Sequence, residues 1–447
     1  MKKKKILIIT TAFPPENAVG SIRTSKITKY LVRNDFDVTV VSPKLNELTK
    51  RDSSLECSEF QNIKRVLISH SYFFKKFFFK RRNNMLKEKS ATDYLQVNKK
   101  SNLLSSAKSQ FYIFIHFFYT IIRNLDWYFE VKKKLSKEIK LQEIDIIISS
   151  YPSLSAHWIS KNLKNKYESK WIADFRDPIN YESNSNFILI KLNEIIQNSI
   201  IKKADFITFV SKEMIFKLNK NKKIKLDKFI YLPNGFDRDD ISNIGKDKTQ
   251  VFKNKLVLSY VGSLYGGKRD LDVIFKALKE NINKGSLKID NLIFNYAGSE
   301  FNIIEQQASK YNLTCILVNH GYVTREESIR VQNESDLNVV VTWNSKIDKG
   351  IMTGKIYESF LLGKKILGVV NGDLPNSEFK NVISRVNGGF VIENSSQNYR
   401  DDYNALKLFL NDNYIKKLET GKIESNYNDL ITTYEYPIIV NEIIKLF

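Results

Sequence analysis

The sequence is poor in the residues that build disulfide frameworks and metal centres. Among its 447 residues there are two cysteines, Cys57 and Cys315, and four histidines. Two cysteines are too few for a disulfide scaffold or a four-ligand zinc site, and the histidines share no short metal-binding spacing. We therefore expect a protein of a reducing compartment and predict no metal site.

Long apolar runs are also missing, and a membrane-spanning helix needs roughly 18 such residues. The longest run, Phe111–Ile122, is interrupted by His116 and Thr120. The start, MKKKKILIITT, is similar to a secretory signal only in its charged end, because its apolar stretch is short and leads into two prolines. We interpret Ile6–Thr10 as a buried first strand.

Positive charge, in contrast, is abundant and unevenly distributed. Lys and Arg number 71 against 49 Asp and Glu, a net charge of +22. Residues 1–240 hold 45 basic and 25 acidic residues, or +20, which leaves +2 for residues 241–447. A basic half predicts an anionic partner surface. Because no nucleic-acid-binding motif accompanies it, we expect a membrane surface and no nucleic acid.

One segment mixes aromatic and basic residues in a way that suits a membrane surface. In Ser71–Asn84, five phenylalanines lie among Lys75, Lys76, Lys80, Arg81 and Arg82. Aromatic rings favour the lipid interface, and cations are attracted to anionic headgroups. We predict a cytoplasmic protein that lies peripherally on the inner face of the cell membrane. The alternative is an ordinary core segment flanked by solvated lysines.

Short apolar runs alternate with helical patterns in both halves of the chain. The predicted strands are Ile6–Thr10, Val38–Val41, Ile144–Ser149, Trp171–Asp174, Phe206–Val210, Leu256–Val261, Leu292–Ala297, Cys315–Val318, Leu337–Val341 and Lys365–Val370. Buried runs of this length separated by helices indicate parallel sheets covered on both faces.

This alternation predicts an α/β fold with two Rossmann-like, doubly wound domains facing across a cleft. The N-terminal domain is expected at 1–240 with an insertion at about 49–129, and the C-terminal domain at 241–430. The closing segment, 431–447, is expected to form a helix that packs back on the N-terminal domain. In such sheets ligands bind beyond the carboxyl ends of the strands, so the loops there are the candidate sites.

In the first half, the loop after the first strand can hold an anion. Gly20 permits close backbone approach just before a helix, and Arg23 adds a positive charge in its first turn. We predict that both contact an anionic donor. The alternative is a plain loop with a surface arginine.

Two other strand ends in this half carry polar residues. His157 lies in a helix that opens after a strand, which makes it either a catalytic or a structural histidine. In WIADFRDP, Arg176 stands between Asp174 and Asp177, and we interpret the group as salt bridges that brace the loop.

In the second half, the stretch YVGSLYGGKR is a glycine-rich turn between a strand and a helix. It contains Gly262, Ser263, Lys268 and Arg269, and such a turn with cations suits a diphosphate. The alternative is a flexible loop with a solvated Lys-Arg pair. Neither the dinucleotide fingerprint nor the Walker pattern is present, so a dinucleotide cofactor and phosphoryl transfer from ATP are not supported.

A second candidate in this half is KGIMTGKIYESFLLG, where Thr353 and Gly354 precede a helix. Lys355 and Glu358 are three residues apart on that helix and share one face. One interpretation places Lys355 on phosphate and Glu358 on ribose hydroxyls. The other is a simple salt bridge within the helix.

The order and spacing of these blocks resemble family 4 retaining glycosyltransferases of the GT-B fold, in the branch that builds bacterial surface polysaccharides. The blocks are ILIITTAFPPENAVGSIR, WIADFRDP, YLPNGFD, YVGSLYGGKR and TGKIYESFLLGKKIL. The resemblance implies a nucleotide diphosphate sugar as donor and a glycan or lipid-linked acceptor. It also implies retention at the anomeric carbon, with no bound metal and no cofactor.

Site residues follow from the same resemblance. Gly20 lies where the family's first glycine loop approaches the donor phosphate and the acceptor, and His157 matches a histidine near the transferred sugar. Lys268 or Arg269 takes the place of a basic ligand of the donor diphosphate. Glu358 matches the carboxylate that binds the donor ribose.

The sequence departs from the family pattern at two points. Gly350 stands where many members have the first glutamate of a pair, and the usual separated Arg and Lys are compressed into Lys268-Arg269. Two alternatives therefore stay open. One is a nucleotide-sugar epimerase on the same fold, and the other is a non-catalytic basic protein that binds membranes or polyanions.

Overall fold

The structure is a computed structural model that describes residues 3–46, 49, 51–76, 103–176, 179, 187–219, 226–243 and 252–447. The chain divides into two compact units. The first unit comprises Met1–Pro233 and Tyr436–Phe447, and the second comprises Asn234–Glu435. The unit boundary lies inside the YLPNGFD turn.

The strands in the described ranges are β1 Lys5–Ile9, β2 Asp37–Pro43, β3 Lys64–Ile68, β4 Ile146–Ser150, β5 Lys170–Phe175, β6 Phe206–Phe209, β7 Phe229–Tyr231, β8 Leu256–Val261, β9 Leu292–Ala297, β10 Leu317–Gly321, β11 Leu337–Trp343, β12 Lys365–Asn371 and β13 Gly389–Glu393. The longer helices are α1 Val19–Arg33, α2 Leu103–Glu138, α3 Leu154–Lys164, α4 Phe187–Ile201, α5 Lys212–Asn219, α6 Asp272–Asn283, α7 Phe301–Ser309, α8 Arg325–Asn333, α9 Lys355–Leu361, α10 Glu378–Arg385, α11 Tyr399–Thr420 and α12 Tyr436–Ile444.

The first unit is built on a seven-stranded sheet in the order β3-β2-β1-β4-β5-β6-β7. All neighbouring strands are parallel. In β1, Ile6–Ile9 is fully buried because helices cover both faces of the sheet. The strand order reverses between β1 and β4, which is where open α/β sheets bind ligands.

The second unit has a six-stranded parallel sheet in the order β10-β9-β8-β11-β12-β13. Every residue of β8 and β11 is buried, and the order reverses between these two strands. The predicted α/β fold with two domains on parallel sheets is thus confirmed.

Three edge strands, β3, β7 and β13, are not among the predicted strands, and all three are only partly buried. In β3, exposed and buried side chains alternate, and β13 begins at an exposed Gly389. An edge strand is partly exposed to solvent, so its sequence lacks the continuous apolar run by which a fully buried strand is recognised. The stretch at about 49–129, interpreted as an insertion, supplies both β3 and most of α2.

The closing helix α12 belongs to the first unit. Its buried Tyr436, Ile439 and Val440 share a hydrophobic cluster with Ile27 and Leu31 of α1. The apolar face of α12 packs against α1, and this contact holds the terminal segment on the first unit.

Within the described ranges, the helices fall short of the combined length and apolar character that crossing a bilayer requires. Of the mixed aromatic and basic segment, Lys75 and Lys76 are described and exposed, whereas Lys80, Arg81 and Arg82 lie outside the described residues.

Candidate functional site

A buried ion pair joins α1 to the carboxyl edge of the first sheet. The Arg23 and Asp174 side chains are 1% and 2% exposed. Arg23 donates from Nε and Nη2 to the two Asp174 oxygens at 3.0 and 2.8 Å. It also donates to the carbonyls of Pro233 at 2.8 Å and Leu232 at 3.0 Å. The prediction placed Arg23 on the donor, but the structure engages its guanidinium internally because a buried charge needs a partner.

Asp174 collects hydrogen bonds from neighbouring strand ends. Thr208 of β6 donates to it at 2.6 Å and Ser150 of β4 at 3.1 Å. Burial raises the pKa of Asp174, but the Arg23 charge together with hydrogen bonds from Arg23, Thr208 and Ser150 outweighs burial and holds the pKa below its usual value. The carboxylate therefore stays ionised and ties three strands and α1 together.

Gly20 lies directly under Arg176. A Cβ atom at Gly20 would be 2.9 Å from the Arg176 Nη1 atom and 2.9 Å from the Ala12 Cβ atom, so a larger residue would force these neighbours to shift. We had interpreted Arg176 as the partner of Asp174, but in the structure Asp174 pairs with Arg23 instead. Asp177 lies outside the described residues.

His157 is enclosed by aromatic rings in α3. It has no exposed surface, and its ring centroid is 4.6 Å from that of Phe175. Its Nδ1 atom lies 2.7 Å from the Ser149 hydroxyl, which also accepts a hydrogen bond from Trp171 Nε1 at 2.7 Å. Burial lowers the pKa of His157 to about 3. Full burial among aromatic rings and the contact with Ser149 favour the structural interpretation of this histidine.

His157 should make the stability of the first unit depend on pH. Its folded pKa of about 3 lies below the usual 6.5, so between these values the unfolded chain binds a proton that the folded chain does not. Stability is then lost as the pH falls, by about 2 kcal/mol at about pH 5. In urea unfolding, the free energy of unfolding of His157→Gln should fall less between about pH 8 and about pH 5 than that of the wild type. Equal pH dependence of the two proteins would contradict the assignment.

In the second unit, an internal carboxylate closes the glycine-rich turn after β8. Glu300, which is 7% exposed, accepts hydrogen bonds from the Ser263 hydroxyl and from the amides of Leu264 at 2.6 Å and Gly266 at 3.2 Å. The Gly262 amide donates to the carbonyl of Ala297 at 2.9 Å. The hydroxyl and amides that were predicted to contact a donor are thus bound within the unit.

The turn is held this closely because glycine follows β9. A Cβ atom at Gly298 would be 2.5 Å from the Gly262 carbonyl oxygen and 2.3 Å from the Tyr296 hydroxyl. That hydroxyl accepts the Glu300 amide hydrogen bond at 2.9 Å. The close approach therefore fixes Glu300 beneath the turn.

Lys268 and Arg269 lie at the end of this turn against Trp343 of β11. The Lys268 Nζ atom is 5.5 Å and the Arg269 Cζ atom 5.6 Å from the indole centroid, and Arg269 is 4.6 Å from the Tyr265 ring. Arg269 is 9% exposed and donates to the Ser263 carbonyl at 3.2 Å, whereas Lys268 is exposed. Cation–π contacts thus hold Arg269 below the surface and leave Lys268 accessible to a ligand.

Lys355 and Glu358 form the predicted pair on α9. Their side chains are 2.7 Å apart, and Gln332 of α8 donates to the same Glu358 oxygen at 2.7 Å. Lys355 also donates to the Ser328 hydroxyl at 3.2 Å. Burial raises the pKa of Glu358, but the Lys355 charge together with hydrogen bonds from Lys355 and Gln332 outweighs burial and holds the pKa below its usual value. The salt-bridge interpretation is confirmed as a contact, and contact with a ribose stays a prediction.

Strand β11 brings both candidate regions of the second unit to one edge of its sheet. Trp343 contacts the cations of the β8 turn, and the neighbouring Thr342 donates to the Ile351 carbonyl at 3.0 Å, just before α9. Gly354 precedes α9 as an exposed residue, and Thr353 is half-buried beside it. This edge therefore carries Lys268 and Lys355 together with the Glu358 carboxylate.

The described residues contain no group of three or more His, Cys, Asp or Glu side chains arranged to hold a metal ion. Positive charge at the carboxyl edge of the second sheet comes from lysine and arginine.

Sequence reasoning missed three residues that shape this edge. Glu300 follows the buried strand β9 closely and Trp343 ends the buried strand β11, and these positions are the signal that could have found them. Gln332 lies on the buried face of α8, and nothing local in the sequence marks it as a partner of Glu358.

The sequence matches no protein-family model and no curated protein. Solved structures match it over nearly its full length. Sucrose-phosphate synthase from Thermosynechococcus elongatus has a TM-score of 0.60 at 11% identity, covering 99% of this chain and 98% of that one. WaaG, a glycosyltransferase involved in lipopolysaccharide biosynthesis, has a TM-score of 0.52 at 13% identity and 99% coverage of both chains.

A putative UDP-N-acetylglucosamine 2-epimerase from Listeria monocytogenes has a TM-score of 0.52 at 12% identity, covering 99% of this chain and 95% of that one. Proteins with different activities thus share this architecture, and fold alone does not select a reaction. At these identities the likeness shows that the chain has the two-domain α/β fold of GT-B glycosyltransferases.

Proposed function

We propose that the protein is a glycosyltransferase that moves a sugar from a nucleotide diphosphate sugar to a glycan or lipid-linked acceptor in surface polysaccharide synthesis. The observation that carries this proposal is the set of Lys268, Lys355 and Glu358 at one sheet edge of the second unit. Two cations suit a diphosphate, and a low-pKa carboxylate suits ribose hydroxyls. The fold match to glycosyltransferases supports the same reaction class.

In this reaction the protein positions the substrates and stabilises the charge that develops on the leaving group. As the bond between the anomeric carbon and the diphosphate breaks, negative charge develops on the leaving group. Lys268 and Lys355 would stabilise it, each by roughly 3 kcal/mol. Arg269 is placed to hold the turn and to add its charge from below. We propose retention at the anomeric carbon, as the resemblance implies.

We further propose that no divalent metal is needed, because side-chain cations supply the charge that a metal supplies elsewhere. In this proposal His157 is a buried structural residue of the first unit. Gly20 is the position where the backbone comes close to Arg176. The basic first half, 1–240, is proposed to hold the protein peripherally on the anionic inner face of the membrane.

A thermal-shift screen of UDP-, GDP- and other nucleotide sugars tests the donor site. A ligand that binds only the folded state raises the melting temperature, and at a hundredfold excess over Kd it stabilises by about 2.7 kcal/mol. We expect one nucleotide sugar to do so, with or without EDTA, and Glu358→Ala to abolish the shift. The control is Lys284→Ala, an exposed residue at the end of α6 on the same unit.

The outcome also separates the alternatives. If the protein releases epimerised sugar when no acceptor is present, its function is that of an epimerase and not of a transferase. Salt-sensitive polyanion binding with no nucleotide-sugar shift would favour a non-catalytic binding protein, because counterion release makes such binding weaken with salt.

A further inference from the structure

One face of α2 exposes a line of large apolar side chains. The exposed residues and their exposed fractions are Ile115 48%, Phe118 52%, Ile122 43%, Leu125 38% and Phe129 59%. Their spacing of three and four residues places them in a single stripe, about 21 Å long at 1.5 Å per residue. Trp127, Val131 and Leu135 on the opposite face are buried against the unit. The buried face packs α2 against the unit, so the exposed stripe is a second apolar face that this packing does not use.

Beyond Phe129 the same helix becomes basic. Lys132, Lys133 and Lys137 are exposed within the next eight residues. Of the nearby acids, Asp126 is bonded to His70 and Ser71, Glu130 is paired with Lys134, and Glu138 is exposed next to Lys137 at the end of the helix. The exposed face thus changes from apolar to cationic along its length.

The stripe has suitable neighbours on both flanks. A cavity between α2 and α3 has Tyr128, Lys132, Ser136 and Lys166 among its lining residues, and lysine is a residue that suits an anionic headgroup. On the other flank, a helical turn leaves Tyr72 78% and Phe73 64% exposed.

That turn is fixed to α2 by specific bonds. His70 Nδ1 lies 2.8 Å from Asp126 Oδ2, and Trp127 Nε1 donates to the Ile68 carbonyl at 2.9 Å. The aromatic residues of the turn are therefore positioned beside the stripe by the fold.

Charge decides between two occupants of this surface. A second copy of the chain would bring like-charged helices together, and the half that contains α2 carries 45 basic against 25 acidic residues. An anionic bilayer instead offers apolar depth for the stripe and negative headgroups for the lysines.

We propose that α2 lies in the plane of an anionic membrane, with Ile115–Phe129 entering the boundary between headgroups and acyl chains and Lys132, Lys133 and Lys137 contacting headgroup phosphates. This places the main contact on α2, with Tyr72 and Phe73 as its flank. The inference rests on the proposed membrane partner but not on the proposed reaction.

Co-sedimentation of the full chain with phosphatidylcholine vesicles, with and without phosphatidylglycerol, tests this surface. The wild type should bind only when phosphatidylglycerol is present. Phe118→Ser with Phe129→Ser should weaken that binding about tenfold or more, because two large apolar side chains no longer enter the bilayer. Lys133→Gln with Lys137→Gln should weaken it about tenfold and reduce its salt dependence.

The matched control is Leu408→Ser with Leu418→Ser, two exposed apolar residues of α11 in the second unit. These should leave vesicle binding unchanged. Undiminished binding of the Phe118/Phe129 variant would overturn the proposal. So would a solution dimer of the wild type that this variant dissociates, since a second copy would then cover the stripe. The assay contains neither nucleotide sugar nor acceptor, so its result is independent of transferase activity.

Discussion

Asp174→Asn is expected to destabilise the first unit by about 3–5 kcal/mol, because it leaves the buried Arg23 guanidinium without its counter-charge. Both side chains are almost fully buried. Thr208 and Ser150 would also each lose a charged acceptor. Urea unfolding measures the loss through tryptophan fluorescence, since Trp127, Trp158 and Trp171 all belong to this unit.

Two comparisons isolate the cause of that loss. Arg23→Met with Asp174→Leu removes both charges and should cost less than either single substitution, because no unpaired charge stays buried. Lys191→Met breaks an ion pair with Glu194 on α4 whose side chains are 57% and 42% exposed, and it should cost under about 1 kcal/mol. A loss for Asp174→Asn no larger than that of Lys191→Met would disprove the role of the pair.

Lys268→Ala is expected to reduce turnover of the transferase reaction by about 10²–10³-fold while leaving the fold intact. Its amine is exposed beside Trp343 and is proposed to stabilise the leaving diphosphate. The measurement is kcat with the nucleotide sugar identified by thermal shift, together with the melting temperature of the variant.

Arg269→Ala should differ from Lys268→Ala in kind. Arg269 is buried between Tyr265 and Trp343, so its removal should lower the melting temperature as well as turnover. Lys284→Ala should change neither quantity. Unchanged turnover in Lys268→Ala would count directly against the proposed donor site.

Local sequence patterns predicted the buried elements well. Leu256–Val261 and Leu292–Ala297 form strands with the predicted bounds, because continuous apolar runs between helices have few other stable arrangements. The edge strand β3 was missed since its alternating burial imitates a surface segment. The pairing of Lys355 with Glu358 was foreseeable, because residues three apart on a helix are neighbours.

Partners distant in sequence were not foreseeable in the same way. The WIADFRDP block suggests that Asp174 pairs with Arg176, yet Asp174 pairs with Arg23, which lies 151 residues earlier. Likewise, a glycine-rich turn predicts amides open to an anion, but Glu300 already occupies that position. In both cases a buried polar group takes the partner that the fold brings near.

The sequence alone determined the two parallel α/β sheets, the basic first half and the strand ends that carry polar residues, because these depend on local patterning and composition. Tertiary structure decided which charges are used internally and which stay accessible. It buried Arg23 and His157, held Arg269 under Trp343, and left Lys268 and the α2 stripe exposed. The physical reason is that burial makes an unpaired charge costly, so long-range packing assigns each charged group either a partner or the surface.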